Sequence, residues 1–352
     1  MLEVLPHLDR DRFDLHLACL ERRGPWLERA EAAAGRAIGF PVKGLHHRSA
    51  VTEARRFTRW VSTGGIGVVH AIGGRAEVFA LPASAFAGVP VRIATRTHTA
   101  PERRPAYSAL RRAAYACAHH VVATSPSAAA QLARERVPDA RVRVIVPGID
   151  ASAWAVERPE RPIRRFAIPS GLGADGLELV CGAAALVRSR VKDLELVFDG
   201  RAGLHDVVRG AARRHGIEAH VRLEAVPGRD RLGSADLFIH PGGGRAAARH
   251  VLQAMASGLP VVAARGSDPA ALVDHQRTGV LVTPADAQAL AWAVLDLAQW
   301  PAHARRLGAA ARAAVERHHR LDATVSAFEH LYLDALAARR PWLVADAHVA
   351  AS

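Results

Sequence analysis

The chain has 352 residues, half of them hydrophobic and 23% charged, which excludes a disordered protein and suggests two domains of ordinary size. The formal net charge is +13, yet Lys43 and Lys192 are the only lysines among 47 cations, and alanine supplies 73 residues. The basicity therefore reads first as compositional bias and second as attraction to phosphates or an anionic membrane; aromatic residues, at 5%, are too few for a nucleic-acid stacking surface.

In chain order, strand-length apolar runs alternate with longer helical patterns. The first series predicts strands at Phe13–Leu20, Ala37–Val42, Gly67–Ala71, Val91–Thr95, His120–Thr124 and Val142–Val146. Between them lie amphipathic stretches such as Pro25–Ala34, Ala54–Val61 and Pro105–Ala118. The second series predicts strands at Arg165–Ile168, Leu194–Phe198, Val221–Leu223, Leu237–His240, Pro260–Ala263 and Gly279–Val282. Its helices include Leu177–Val191, Leu204–His215, Ala246–Ser257 and Ala287–Gln299. This alternation means βαβ units, parallel sheets and two doubly wound α/β domains, with ligands at the carboxyl ends of the strands. The Pro-rich stretch Pro147–Pro162 marks the boundary, so the expected domains are 1–150 and 151–340, with 341–352 as a small-residue tail.

Met1–Asp9 reads as the end of a first helix, so the opening strand and glycine turn of a doubly wound domain are missing: the start is truncated, or the domain lacks them. No apolar run reaches the ~18 residues of a membrane span, and Met1–His7 has no signal-peptide character. Cys19, Cys117 and Cys181 lie far apart, which excludes a disulfide framework and a Cys-based zinc motif and fits a reducing cytoplasm. No His pair has the zincin spacing, so no metal is expected, and Ser125 lacks the surroundings of a hydrolase nucleophile. His70, at a strand end, reads as structural.

The most informative stretch runs from His240 to Ala263: strand, the glycine turn Gly242-Gly243-Gly244, helix, the helix stop Gly258, strand. A glycine turn that opens a helix presents free N–H groups and the positive end of the helix dipole to a phosphate. Equally, it serves as a plain βα connection whose glycines permit tight geometry.

Ala254-Met-Ala-Ser-Gly-Leu-Pro-Val-Val-Ala263 resembles the C-terminal signature of the family 4 glycosyltransferases. Asp236-Leu-Phe-Ile-His-Pro241, Thr278–Leu290, Gly67–Ala71, Ala87–Val91 and Val142–Asp150 match that family in kind and order. The resemblance covers nearly the whole chain. It implies the GT-B fold: two Rossmann-like domains facing a cleft, an acceptor side first and a nucleotide-sugar side second, with C-terminal helices. It further implies retaining transfer of a hexosyl group from a nucleotide-sugar co-substrate to a glycan or lipid-linked acceptor, with no other cofactor. Cationic side chains and helix N-termini would stabilise the leaving diphosphate.

Several family positions are changed. The two family glutamates fall on Arg245 and Gln253. The diphosphate-binding Arg and Lys fall on Gly171 and Asp175, and a further glutamate falls on Ala271. Gln253 still hydrogen-bonds a hydroxyl, without the charge-assisted strength of a carboxylate. Arg245, and Arg201 after Phe198-Asp-Gly200, are the candidate replacement cations, and His98 matches the family's donor-side histidine loop. These changes read as an eroded catalytic set. Two expectations follow: a glycosyltransferase of cell-surface polysaccharide synthesis with an altered donor site, or a non-catalytic GT-B paralogue that scaffolds or regulates a glycan-assembly complex. The chemistry of the changed positions favours the second. The expected location is cytoplasmic, peripheral at the inner face of the membrane. Arg103–Arg112, with Arg103, Arg104, Arg111 and Arg112 beside Tyr107 and Leu110, is the candidate attachment face.

Overall fold

The computed structural model describes residues 1, 3–24, 27–44, 47–96, 105–158, 160–169, 171–200, 205–226, 228–242 and 247–340. The strands are β1 (Ala18–Cys19), β2 (Ile38–Gly39), β3 (Val68–Ile72), β4 (Val91–Arg96), β5 (His120–Ala123), β6 (Val142–Val144), β7 (Arg165–Ala167), β8 (Glu195–Asp199), β9 (Val221–Glu224), β10 (Leu237–His240), β11 (Val261–Ala264) and β12 (Val280–Val282). The helices are α1 (Leu27–Ala34), α2 (Arg48–Thr63), α3 (Gly74–Phe86), α4 (Pro105–Ala116), α5 (Pro126–Arg134), α6 (Ala174–Val187), α7 (His205–Arg214), α8 (Gly228–Ser234), α9 (Ala247–Ala256), α10 (Ala287–Gln299), α11 (Pro301–His318) and α12 (Leu321–Ala337). All strand pairing is parallel, in sheets ordered β1-β2, β3-β4-β5-β6 and β12-β11-β10-β7-β8-β9.

The chain forms two compact units, Met1–Val146 together with the segment from Leu321, and Pro147–Arg320. The last helix thus belongs to the first unit, where the sequence pattern had assigned it to the second domain. The reason is its apolar stripe. Leu321, Val325, Phe328, Leu331, Tyr332 and Ala335 repeat at helical spacing and bury against Val91, Ile93 and Val122 on one face of the β3–β6 sheet. The same face holds His70, whose Nδ1 lies 2.8 Å from the Tyr332 hydroxyl and whose Nε2 lies 2.6 Å from Thr95 Oγ1. Burial drives its pKa down to about 3, so the ring is neutral, as a structural histidine requires.

The beginning of the chain differs from its pattern in detail. The helix end expected over Met1–Asp9 is a single 3₁₀ turn, Leu5–His7. The strand expected over Phe13–Leu20 pairs only at Ala18–Cys19, with Ile38–Gly39. No strand among the described residues precedes Ala18. β1 and β2 therefore form a separate pair, and β3 is the edge of its own sheet.

In the second unit, β10 and β11 are buried on both faces. Such central parallel strands need near-continuous apolar sequence. Leu237 and Ile239 face one core and Phe238 the other. The Pro-rich boundary segment is bound to this unit through Arg158. Its guanidinium donates to the carbonyls of Ser257, Ala235 and Leu232 at 2.6, 2.8 and 3.0 Å, closing helix ends whose carbonyls lack intrahelical partners. Along the same sheet, Arg165 pairs with Glu195 and Glu224, Arg222 with Glu195, and Arg161 with Asp236. Part of the arginine excess is thus spent on structure.

Gly308 lies inside α11. A β-carbon there would sit 2.2 Å from the carbonyl oxygen of Gly258 and 3.1 Å from the nitrogen of Pro260. Both obstacles are backbone, so no side chain can move aside. Gly308→Ala should lose about 1–3 kcal/mol through overpacking, against about 1 kcal/mol of helix propensity gained. The check is a thermal melt, with a Tm lower by several degrees; an unchanged or higher Tm would mean the helix shifts freely.

Candidate functional site

The strand order of the second unit creates one special position. From β7 the chain adds strands outward to β8 and β9; it then returns to the other side of β7 with β10 and runs outward to β11 and β12. The direction reverses between β7 and β10. Successive crossovers lie on opposite faces at such a point, leaving a crevice beyond the carboxyl ends of those strands where ligands bind in doubly wound sheets.

Gly171 follows β7, with φ +82° and nothing within 4 Å of where a β-carbon would stand. Asp175 is exposed in the first turn of α6. Gly242 follows β10 with φ +100°, a conformation that favours glycine, and its β-carbon would meet Ala264 Cβ at 3.3 Å. The two loops are neighbours: a β-carbon on Gly176 would lie 3.4 Å from Cγ of Pro241. β10, Gly242, α9 and β11 thus follow one another in the order that the His240–Ala263 pattern predicts.

Gln253 is half-buried in the middle of α9, and its carbonyl accepts from Ser257 N and Oγ at 3.0 and 2.8 Å. Ala271 lies in the 3₁₀ turn Asp268–Leu272, beyond β11. His98, Arg201, Gly243, Gly244 and Arg245 lie outside the described residues.

Side chains that the motifs did not single out gather at the same end of the sheet. Asp199 closes β8, and Arg231 reaches it from α8, Nη1 to Oδ2 at 3.1 Å. His240 closes β10, 1% exposed, and its Nδ1 accepts the Gly242 N–H at 3.2 Å. His250 stands one turn into α9. Desolvation lowers both histidines to about 4; His250 adds to the lowering of His240, and Arg249 and Arg231 add to that of His250, against the opposing charge of Asp199. Both are neutral at pH 7. No sequence signal marks Arg231, one arginine among many; its burial depends on Asp199, which comes from another strand.

The first unit carries a buried polar cluster beside the end of β4. Arg96 and Arg111 donate to Glu135 Oε1 at 3.0 and 2.9 Å, and Gln131 donates to the same oxygen at 3.1 Å. Tyr115 donates to Glu77 at 3.1 Å. Desolvation raises Glu77 to about 7, against the lowering effects of Tyr115, Arg111 and Arg96. Arg111 is thus removed from the proposed membrane face: it is 7% exposed and paired, because Glu135 is the carboxylate that folding brings to it. Of that face, Arg112 and Leu110 remain exposed, and Arg103 and Arg104 lie outside the described residues. No described helix is long and apolar enough to cross a membrane. Among the described residues, no group of three His, Cys, Asp or Glu side chains is placed to hold a metal ion.

Comparison with known proteins agrees with this architecture. A family model described as Glycosyltransferase Family 4 matches residues 1–153, and one described as Glycosyl transferases group 1 matches residues 166–299. A GDP-mannose-dependent alpha-mannosyltransferase of Mycolicibacterium smegmatis is 32% identical over 222 residues, 58% of this chain and 56% of that protein. A GDP-mannose-dependent alpha-(1-6)-phosphatidylinositol monomannoside mannosyltransferase of the same organism is 29% identical over 202 residues, 50% of this chain and 52% of that protein. The chain thus spans about half the length of these curated relatives. The crystal structure of Anabaena Alr3699/HepE with UDP and glucose superposes with a TM-score of 0.78 at 17% identity, over 94% of both chains, a likeness of fold. The two matched halves, the signature of α9 and β11, and the two α/β units with parallel sheets place this chain in the family 4 glycosyltransferases of GT-B fold.

Proposed function

We propose that the protein transfers a hexosyl group, most simply mannose, from a nucleoside diphosphate sugar to a glycan or lipid-linked acceptor of cell-surface polysaccharide synthesis. The observation that carries this reading is Gly242, at positive φ after β10 at the switch point beside β7, shortly before α9 begins at Ala247. The amino end of α9 is electropositive and favours the anionic diphosphate. Gln253, further along the helix, offers amide hydrogen bonds to a ribose hydroxyl. In the transfer, the bond from the anomeric carbon to the diphosphate oxygen breaks, the acceptor hydroxyl oxygen forms the new bond, and its proton passes to the departing diphosphate. The dipole at α9 stabilises charge developing on the leaving diphosphate. GDP-mannose is the first donor to test, because both curated relatives carry that name. The acceptor side, by the same reasoning, is the first unit, and the working location is the cytoplasmic face of the membrane.

A second reading has its own observation. Asp175 stands exposed where the family places a phosphate-binding lysine, and Gly171 offers no side chain at the matching arginine position. A carboxylate beside the diphosphate repels it, so a non-catalytic paralogue that holds a protein partner is the alternative. A thermal-shift panel with GDP, UDP, ADP, TDP, GDP-mannose and UDP-glucose separates the two. A binding nucleotide at about 100 times its Kd adds ~2.7 kcal/mol of stability, a rise of several degrees. A base-selective rise supports the transferase. No shift at millimolar ligand, from a protein that melts cooperatively, overturns the donor-site reading in favour of the scaffold. The double substitution Arg245→Glu, Gln253→Glu restores the family pair; turnover appearing only in that variant would mean that substitution had silenced the site.

A further inference from the structure

We propose that Arg231, positioned by Asp199, binds the diphosphate of a nucleoside diphosphate in the second unit, in place of the cations absent at Gly171 and Asp175. The inference rests on reading this unit as the donor side. Its ground is the unusual state of the arginine.

Arg231 belongs to a short helix, yet its side chain is only 9% exposed and points to the carboxyl end of β8. A buried guanidinium is costly unless its donors are occupied. Asp199 faces Nη1 at 3.1 Å, but neither Nη1 nor Nε finds a hydrogen-bond acceptor among the described residues. His250 Nδ1 is likewise buried without a partner among them. Arg231 pairs with Asp199, both act electrostatically on His250, and His250 acts on His240, so these groups share one neighbourhood. The strand order gives its place. β8 and β10 flank β7, so Asp199 and His240 stand on either side of the switch point. Buried polar atoms without partners are rare in folded proteins and concentrate at functional sites.

The chemistry fits a phosphate better than other ligands. The guanidinium fork presents parallel N–H donors that match two phosphate oxygens. Asp199 holds the fork from one side and leaves Nε for the ligand. His250, kept neutral by burial, adds an N–H donor without competing for the ligand's charge. The amino end of α9 contributes to the same field.

The test is calorimetric titration of the full chain with GDP and UDP, each beside its nucleoside. The wild type is expected to bind one diphosphate at least about tenfold more tightly than the matching nucleoside. Arg231→Gln should weaken the diphosphate about ten- to a hundredfold and leave nucleoside affinity within about twofold, because only the phosphates meet Arg231. His250→Leu should weaken it by a smaller factor. If Arg231→Gln fails to fold because Asp199 loses this counter-ion, the double variant Arg231→Gln, Asp199→Asn removes both charges, and Arg231→Lys keeps the charge without the fork. An unchanged ratio of diphosphate to nucleoside affinity in a folded Arg231 variant would overturn the proposal and make Arg231 a structural ion-pair member. A wild type that binds neither diphosphate nor nucleoside would instead overturn the donor-side reading on which the proposal rests.

Discussion

Acidification from pH 6.5 to 4.5 should unfold the second unit well before the first. His240 and His250 are held neutral in that unit, with pKa values lowered to about 4 chiefly by burial. In the unfolded chain each would titrate near 6.5. The folded pKa is depressed, so the stability these rings contribute is fully present above pH ~6.5. It is lost as pH falls toward 4, because the unfolded chain takes up protons that the folded one refuses. Each ring costs about 1.4 kcal/mol per pH unit within that window, or about 2.7 kcal/mol per unit for the pair. Over two units this is about 5 kcal/mol, comparable to the whole stability of many domains. His319, also lowered by burial, adds to the slope.

The first unit behaves differently. His70, at about 3, gives the same slope as one of those rings. Glu77 opposes it. Its folded pKa is raised to about 7, so its contribution is complete below pH ~4.5 and is lost as pH rises through 7. The two slopes nearly cancel between pH 4.5 and 6.5. His119, lowered to about 4 by partial burial and then by Arg92, and His120, lowered by partial burial, also lose stability on acidification; both are part-exposed, so solvent screening keeps their loss below that of the second-unit pair. Urea unfolding at pH 7.5, 6.5, 5.5 and 4.5 checks this. The expected result is two transitions that separate as pH falls. His250→Asn should flatten the slope of the second unit by about one proton. A single transition with the same midpoint at every pH would contradict the burial of these histidines.

Glu135→Ala should be among the most damaging single substitutions in the first unit. Glu135 Oε1 accepts from Arg96, Arg111 and Gln131, and both arginines are buried, 3% and 7% exposed. Removing the carboxylate leaves two buried positive charges without this counter-ion. Breaking one partner of a buried ion pair costs about 3–5 kcal/mol, and the shared geometry puts this case at the upper end. Glu135→Gln keeps an acceptor for one guanidinium and should cost less. The measurement is the unfolding free energy of the first-unit transition, with Arg111→Met, Glu135→Leu as the companion variant. If the buried pairing is what matters, the double variant recovers part of the loss, because fewer charges stay buried. An Ala variant within about 0.5 kcal/mol of wild type would show that the cluster is solvated.

Much of the architecture was legible in the sequence because it is set by local period and polarity. The runs Leu237–His240 and Pro260–Ala263 read as strands of a parallel sheet, and Gly242-Gly243-Gly244 as a turn before a helix; the positive φ of Gly242 came with the structure. The signature around Met255 carried the family. Long-range choices were not legible. Nothing local distinguishes Leu321–Ala337 from a helix that would stay with the second unit; its apolar stripe needed the face of the β3–β6 sheet, formed far earlier in the chain.

The arginines make the same point more sharply. Arg111 and Arg112 are adjacent and chemically identical, yet one is buried against Glu135 and the other is exposed. Arg231 is unremarkable in a chain of arginines until Asp199 is brought beside it. The sequence by itself determined the parallel α/β class, the two series of strands, the glycine turn and the family positions that have changed. Tertiary structure alone decided which strands became neighbours, where the order reverses, and which cations were taken out of water. The reason is that a guanidinium's burial depends on whether a carboxylate arrives from a distant element, and that depends on chain closure and packing rather than on neighbours in sequence.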